Sequence, residues 1–128
     1  HLGSSKNLSI KLKRIINDVV KKTKNNNGTS INLAFNYGGK AEIINAVNKS
    51  NFGKITNRSI SKNLYIPNLP DPDLIIRTGG EMRLSNFLMW QSAYAELYFT
   101  KILWPNFKIK SLNKAISEYL NRSRKYGK

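Results

Sequence analysis

The chain has 128 residues and 14.6 kDa, room for one ordinary domain or part of a larger one but not for two independent domains. With 40% hydrophobic and 23% charged residues its composition is globular, which excludes wholesale disorder; no apolar run approaches the roughly 20 residues of a membrane span, and the absence of Cys excludes disulfides, thiolate zinc sites and a Cys nucleophile. Twenty-two basic residues stand against 7 acidic ones, a net +15 that attracts nucleic acid, anionic lipid or a phosphorylated substrate alike; sixteen of them are Lys, so a general Lys coating accounts for much of the excess and the total does not choose among these partners.

In chain order, Ser9 is placed to cap a helix whose apolar residues Leu12, Ile15, Ile16, Val19 and Val20 follow the i, i+3, i+4, i+7, i+8 spacing, and Asn25 to Gly28 stop it. Ile31 to Asn36 reads as a strand, and Tyr37-Gly38-Gly39 as a tight turn into a second helix carrying Ile43, Ile44 and Val47. A short helix is expected near Ser59 to Asn63, followed by a loop bounded by Pro67, Pro70 and Pro72. Leu74-Ile75-Ile76 has the wholly apolar pattern of a buried parallel strand. Asn86 to Tyr94 suits a short helix, Glu96 to Phe99 a further strand, Trp104-Pro105 a break, and Ser111 is the expected cap of a last helix carrying Leu112, Ala115, Ile116, Tyr119 and Leu120. Phe87, Trp90, Tyr94 and Trp104 read as core.

Strands separated by helices predict an α/β fold, a mostly parallel sheet flanked by helices, with ligands gathering at the carboxyl ends of the strands. Three strands make a small sheet for this class, which together with the start at His1 suggests a fragment of a larger domain.

The segment Arg77 to Ser85 concentrates groups that bind anions. Two guanidinium forks lie six residues apart, with hydroxyls at Thr78 and Ser85 and paired glycines that let the backbone approach a ligand. Ser85 is expected to open the following helix, where free N–H groups favour negative charge. The segment reads equally as a surface turn whose arginines pair with Glu81 and Asp73. Glu96 stands in the apolar stretch Ala93 to Phe99, and an acid there needs a partner. A magnesium ion sharing phosphate oxygens is one candidate, a salt bridge to an arginine the other. His1 is the single histidine, so a His-based triad or zinc cluster within this chain is excluded.

Three stretches resemble a known family: Asn36-Tyr37-Gly38-Gly39-Lys40-Ala41-Glu42-Ile43, Pro70 through Phe87, and Trp90-Gln91-Ser92-Ala93-Tyr94-Ala95-Glu96-Leu97-Tyr98-Phe99. They are similar, in order and spacing, to the cis-prenyltransferases of the undecaprenyl diphosphate synthase (isoprenyl transferase) kind, and match the C-terminal half of that family's single domain. The resemblance implies cis-prenyl chain elongation: isopentenyl diphosphate is condensed with an allylic diphosphate, usually farnesyl diphosphate, to a long polyprenyl diphosphate that carries cell-wall sugars. It implies that Arg77, Arg83, Leu84 and Ser85 bind the diphosphate of isopentenyl diphosphate and that Glu96 is a ligand to Mg2+. It further implies a homodimer in the cytoplasm, working beside the membrane that takes its product, with no nucleic-acid partner.

The family's Asp-Gly-Asn-Gly-Arg segment, whose Asp binds magnesium and the allylic diphosphate, has no counterpart here, so the chain alone is expected to be inactive, with no catalytic residue of its own. Lys101 and Asn106 stand where acids are frequent in the family, and Lys125 where an Arg is usual, which keeps the charge without the fork. The alternatives are a non-catalytic partner subunit, against which the retained Arg77, Arg83, Ser85 and Glu96 speak, and a basic nucleic-acid-binding domain, for which the net charge is the main argument.

Overall fold

The computed structural model describes residues 1–50, 55–67 and 69–123. The chain forms two compact units, His1–Asn68 and Leu69–Lys128.

In the first unit, helix α1 spans Ile10–Thr23. The Ser9 hydroxyl accepts a hydrogen bond from the Leu12 amide at 3.2 Å, as the sequence predicts, and Lys21 and Lys22 occupy the last turn, where the helix dipole favours cations. The apolar stripe of α1 faces a groove shared with Ile31, Leu33 and Phe35.

The expected strand from Ile31 to Asn36 is not a regular one. A single parallel bridge joins Leu2 to Ala34, with the Leu2 amide donating to the Leu33 carbonyl and the Phe35 amide to the Leu2 carbonyl. A ladder needs a continuous extended neighbour, and the one available is broken at once by Gly3, whose φ is 144°. Glycine is required there: a Cβ would stand 2.2 Å from the Phe35 carbonyl oxygen. Asn36 then turns the chain with φ 53°, its side-chain amide donating to the carbonyls of Ser4 and Lys6.

The glycine turn leads into α2, Gly39–Lys49, as expected, and a capping box of Thr56 and Ser59 opens α3, Asn57–Asn63. These two helices pack together, burying Ala46, Ile60 and Leu64. Glu42 is fully buried. Its carboxylate accepts from the Tyr37 hydroxyl at 2.6 Å and the Tyr65 amide at 3.0 Å, and the two Tyr rings meet edge to face. One acid thus joins the glycine turn, α2 and the segment after α3.

In the second unit, β1 (Leu74–Arg77) and β2 (Glu96–Phe99) form a parallel pair in which Leu74 faces Glu96 and Arg77 faces Phe99. Both strands fall where the apolar pattern puts them. The expected helix over Asn86 to Tyr94 is replaced by consecutive turns, because Ser85, Asn86 and Leu88 take left-handed φ values of 49°, 65° and 45°, each incompatible with a right-handed helix. A 3-10 turn covers Trp104–Asn106. Helix α4 spans Ile109–Leu120, starting two residues ahead of the predicted cap: Lys108 is its N-cap, and the Ser111 amide bonds to the Lys108 carbonyl.

Among the described residues, two parallel strands and four α-helices make this an α/β fold. The aromatics expected in the core are largely on the surface, Trp104 being 76% and Tyr94 67% exposed. No helix among the described residues is long and apolar enough to cross a membrane.

Because the Glu42 carboxylate is buried with its acceptors filled, its removal strands two donors. Glu42→Ala is expected to cost about 2–3 kcal/mol in urea unfolding and Tyr37→Phe about 1 kcal/mol; equal, near-zero costs for both would show that this cluster does not hold the first unit together.

Candidate functional site

Strand β1 ends on Arg77, so that its half-buried guanidinium emerges at the carboxyl end of the parallel pair, where ligands collect in open α/β sheets. The chain then turns through Gly79 and Gly80 at φ 88° and 86°, values that L side chains rarely adopt. Their amides donate to the carbonyls of Ile102 and Thr100, tying the loop to the segment that follows β2.

The loop returns through Arg83, Leu84 and Ser85 and is closed by Arg77 itself. One terminal nitrogen of Arg77 donates to the Ser85 hydroxyl at 3.0 Å and to the Arg83 carbonyl. Above this closure lies an open cavity of about 230 Å³ lined by Ile75, Ile76, Arg77, Thr78, Arg83, Leu84 and Phe87. It is smaller than the range of pockets that enclose drug-sized ligands, roughly 300–1,000 Å³. A small anionic group, held by charge and not by enclosure, suits it.

The Arg83 side chain pairs with Glu81 at 2.5 Å, both groups more than half exposed. An exposed pair of this kind is worth about 0–1 kcal/mol, so a more highly charged anion competes well for the guanidinium. The surface-turn alternative is therefore met in part: Glu81 takes Arg83, while Arg77 is directed to the Ser85 hydroxyl and a carbonyl. Ser85 does not open a helix. Its left-handed φ and the turns after it leave no helix dipole at this point, so the attraction for an anion comes from the two guanidinium groups and the hydroxyls of Thr78 and Ser85.

Of the five site residues expected from the sequence, Arg77, Arg83 and Leu84 line the cavity, and Ser85, outside its lining, is bonded to Arg77. Glu96 is elsewhere. It is the first residue of β2 and faces Leu74, three residue pairs from Arg77, about 10 Å along the strand. Its carboxylate Oε2 accepts from Arg122 at 2.7 Å, and the same Arg122 nitrogen donates to the Leu97 carbonyl at 3.0 Å.

The acid in an apolar strand has thus found a guanidinium, though not that of Arg77 or Arg83. Nothing local to Arg122 marks it in the sequence; the signal was the need of Glu96 for a partner. As a hard oxygen donor Glu96 suits magnesium, but it is a single ligand, and among the described residues no group of three or more His, Asp or Glu could hold a metal ion. Lys101 lies against Gly80, whose hypothetical Cβ would be 3.9 Å from it, and Lys125 is outside the described residues.

The family model described as "Putative undecaprenyl diphosphate synthase" matches residues 1–127. The chain belongs to this prenyltransferase family. It is 50% identical over 128 residues to an isoprenyl transferase of Fusobacterium nucleatum, covering 98% of this chain and 55% of that protein. It is 52% identical over 126 residues to the isoprenyl transferase of Streptococcus pyogenes serotype M1, covering 88% of this chain and 51% of that one. This prenyltransferase chain spans about half the length of the curated relatives it matches.

Among solved structures, the crystal structure of a probable undecaprenyl diphosphate synthase from Campylobacter jejuni superposes with a TM-score of 0.89 at 37% identity, over 99% of this chain and 61% of that one. Lavandulyl diphosphate synthase from Lavandula x intermedia, in complex with dimethylallyl diphosphate, superposes with a TM-score of 0.92 at 33% identity, over 99% and 58% respectively.

The loop's closure makes a direct prediction for anion binding. Arg77→Ala is expected to weaken inorganic pyrophosphate binding at least about ten-fold and Ser85→Ala by about five-fold, whereas Lys110→Ala, on α4, stays within about two-fold. Titration calorimetry at fixed ionic strength reads all three; a uniform loss across them would mean that net charge, not the pocket, binds the anion.

Proposed function

We propose that the cavity over Arg77 receives the diphosphate of isopentenyl diphosphate, and that the protein carrying this chain performs cis-prenyl chain elongation on an allylic diphosphate such as farnesyl diphosphate, giving a long polyprenyl diphosphate such as undecaprenyl diphosphate. The observation that carries this reading is the closure of the 77–85 loop by Arg77 onto Ser85, which gathers two guanidinium groups and two hydroxyls beside a small open cavity in a prenyltransferase chain.

In this reading Arg77 and Arg83 neutralise the diphosphate, Ser85 donates to a phosphate oxygen, and Leu84 with Phe87 borders the cavity where the isoprene unit leaves it. Two fixed cations hold a doubly charged group in one orientation, which is what addition of a carbon nucleophile to an allylic cation centre needs. Magnesium, when bound, would screen the charge of the allylic diphosphate and assist its departure, while the diphosphate of isopentenyl diphosphate stays on the product. We assign Glu96, by family membership, as this chain's ligand to that ion; because it stands at the opposite end of the strand pair from Arg77, the ion's other oxygens come from groups outside the described residues and not from the diphosphate in this cavity. We further infer a homodimer in the cytoplasm at the inner face of the membrane that receives the product; both points rest on family membership.

Two measurements test the proposal. The 128-residue chain by itself is expected to turn over no isopentenyl diphosphate beyond a no-protein control, since the resemblance assigns the allylic-diphosphate Asp to a part of the family that this chain does not match. Joined to the N-terminal half of the Fusobacterium nucleatum relative, it is expected to form polyprenyl diphosphate with magnesium present, and Arg77→Ala is expected to raise KM for isopentenyl diphosphate at least about ten-fold more than that for farnesyl diphosphate. An equal rise for both substrates, or oligonucleotide displacing pyrophosphate from the chain, would overturn the assignment of the pocket.

A further inference from the structure

We infer that the apolar groove between α1 and the extended segment 31–36 is a docking surface for the rest of the prenyltransferase domain. A β-strand from the part of the family's domain that this chain does not match pairs with the free edge of the segment, and apolar side chains of the same part fill the groove. The inference rests on family membership and is independent of the assignment of the Arg77 cavity.

Three observations carry it. First, the groove is open where a finished domain is packed. It holds about 500 Å³ and is lined by one face of α1 and by Ile31, Leu33, Ala34 and Phe35. On the helix Ile15, Val19 and Val20 are 50%, 55% and 52% exposed; opposite them Ile31, Leu33 and Phe35 are 80%, 70% and 52% exposed. Packed interiors hold few voids larger than a water molecule, and contiguous apolar surface on this scale marks an interface.

Second, the segment has an unused edge. Successive residues of an extended chain turn their backbone groups to opposite sides. The Leu33 carbonyl and the Phe35 amide are bonded to Leu2, so the groups of Asn32 and Ala34 point the other way. Among the described residues, neither the amides nor the carbonyls of these two take part in a hydrogen bond. Such an edge is a template for a further strand.

Third, the relatives possess the chain needed to cover it. Only 61% of the Campylobacter jejuni protein superposes on this chain, so more than a third of it lies outside the shared part. A second copy of this chain is the poorer occupant, because Lys11, Lys13, Arg14, Lys21 and Lys22 accompany the apolar stripe of α1, and stacking two such helices would bring like charges together.

The test mixes the 128-residue chain with the N-terminal half of the Fusobacterium nucleatum relative, produced separately, and reads assembly by analytical ultracentrifugation and amide exchange by NMR. A one-to-one complex is expected, in which the Asn32 and Ala34 amides exchange at least about a hundred-fold more slowly than in the chain alone. Val19→Asp and Leu33→Asp, which set a charge into the groove, are expected to weaken the complex at least about ten-fold. Arg14→Asp, a larger change of charge on α1 but outside the groove lining, stays within about two-fold. Should the separate half be insoluble, the joined protein decides: both groove variants are expected to lower its urea midpoint and to leave that of the chain alone unchanged, since there both positions are already more than half exposed. No complex between soluble parent halves, a complex that both groove variants leave intact, or an equal loss of midpoint in the joined protein and the chain alone overturns the inference. Self-association of the chain that Val19→Asp abolishes and the added half does not displace overturns it in favour of a second copy. A Leu33→Asp joined protein of parent stability, with a raised KM for farnesyl diphosphate, overturns it in favour of an isoprenoid chain.

Discussion

Everything proposed for the second unit depends on where the Arg77 guanidinium points. As the last residue of β1 it has the sheet behind it, and one nitrogen closes the following loop on the Ser85 hydroxyl and the Arg83 carbonyl. The two glycines between, at positive φ, let the chain turn back sharply enough for that closure, and their amides fasten the loop to the residues after β2. Without the closure Arg83, Leu84 and Ser85 would be separate surface residues. With it, Arg83 and Leu84 border one cavity with Arg77, whose charge is positive and whose walls toward the strand are apolar, and Ser85 is bonded to Arg77.

The same economy holds in the first unit, where a single buried acid does the joining. Glu42 draws the Tyr37 hydroxyl and the Tyr65 amide to one point and so sets the glycine turn against the segment after α3. Lacking both donors, a buried carboxylate would be strongly destabilising. The motif residues Asn36 to Ile43 therefore have a structural account of their own, independent of any ligand: Asn36 takes the left-handed turn, Tyr37 reaches Glu42, and Gly39 starts α2.

The net charge of +15 is a poor guide beside these contacts. The pocket draws on two arginines, and one of them is already paired with Glu81. Attraction over long distance belongs to the whole surface; the choice of a diphosphate belongs to forks and hydroxyls at hydrogen-bonding range.

The sequence by itself determined the elements that a local pattern specifies: α1 through its Ser9 cap and apolar stripe, α2 after the glycine turn, β1 and β2 through short apolar runs, and the family through motifs that carry Arg77, Arg83 and Ser85. It could not determine that Ile31 to Asn36 makes a single bridge, that Ser85, Asn86 and Leu88 turn left-handed, or that Trp104 and Tyr94 lie exposed. Those outcomes depend on which segments lie alongside, and periodicity describes one segment at a time. Nor could spacing tell that Glu96 stands at the opposite end of the strand pair from Arg77, held by an arginine 26 positions later. Parallel register and the return of α4 across β2 decided that, because pairing in space is set by how elements stack and not by how far apart residues lie along the chain.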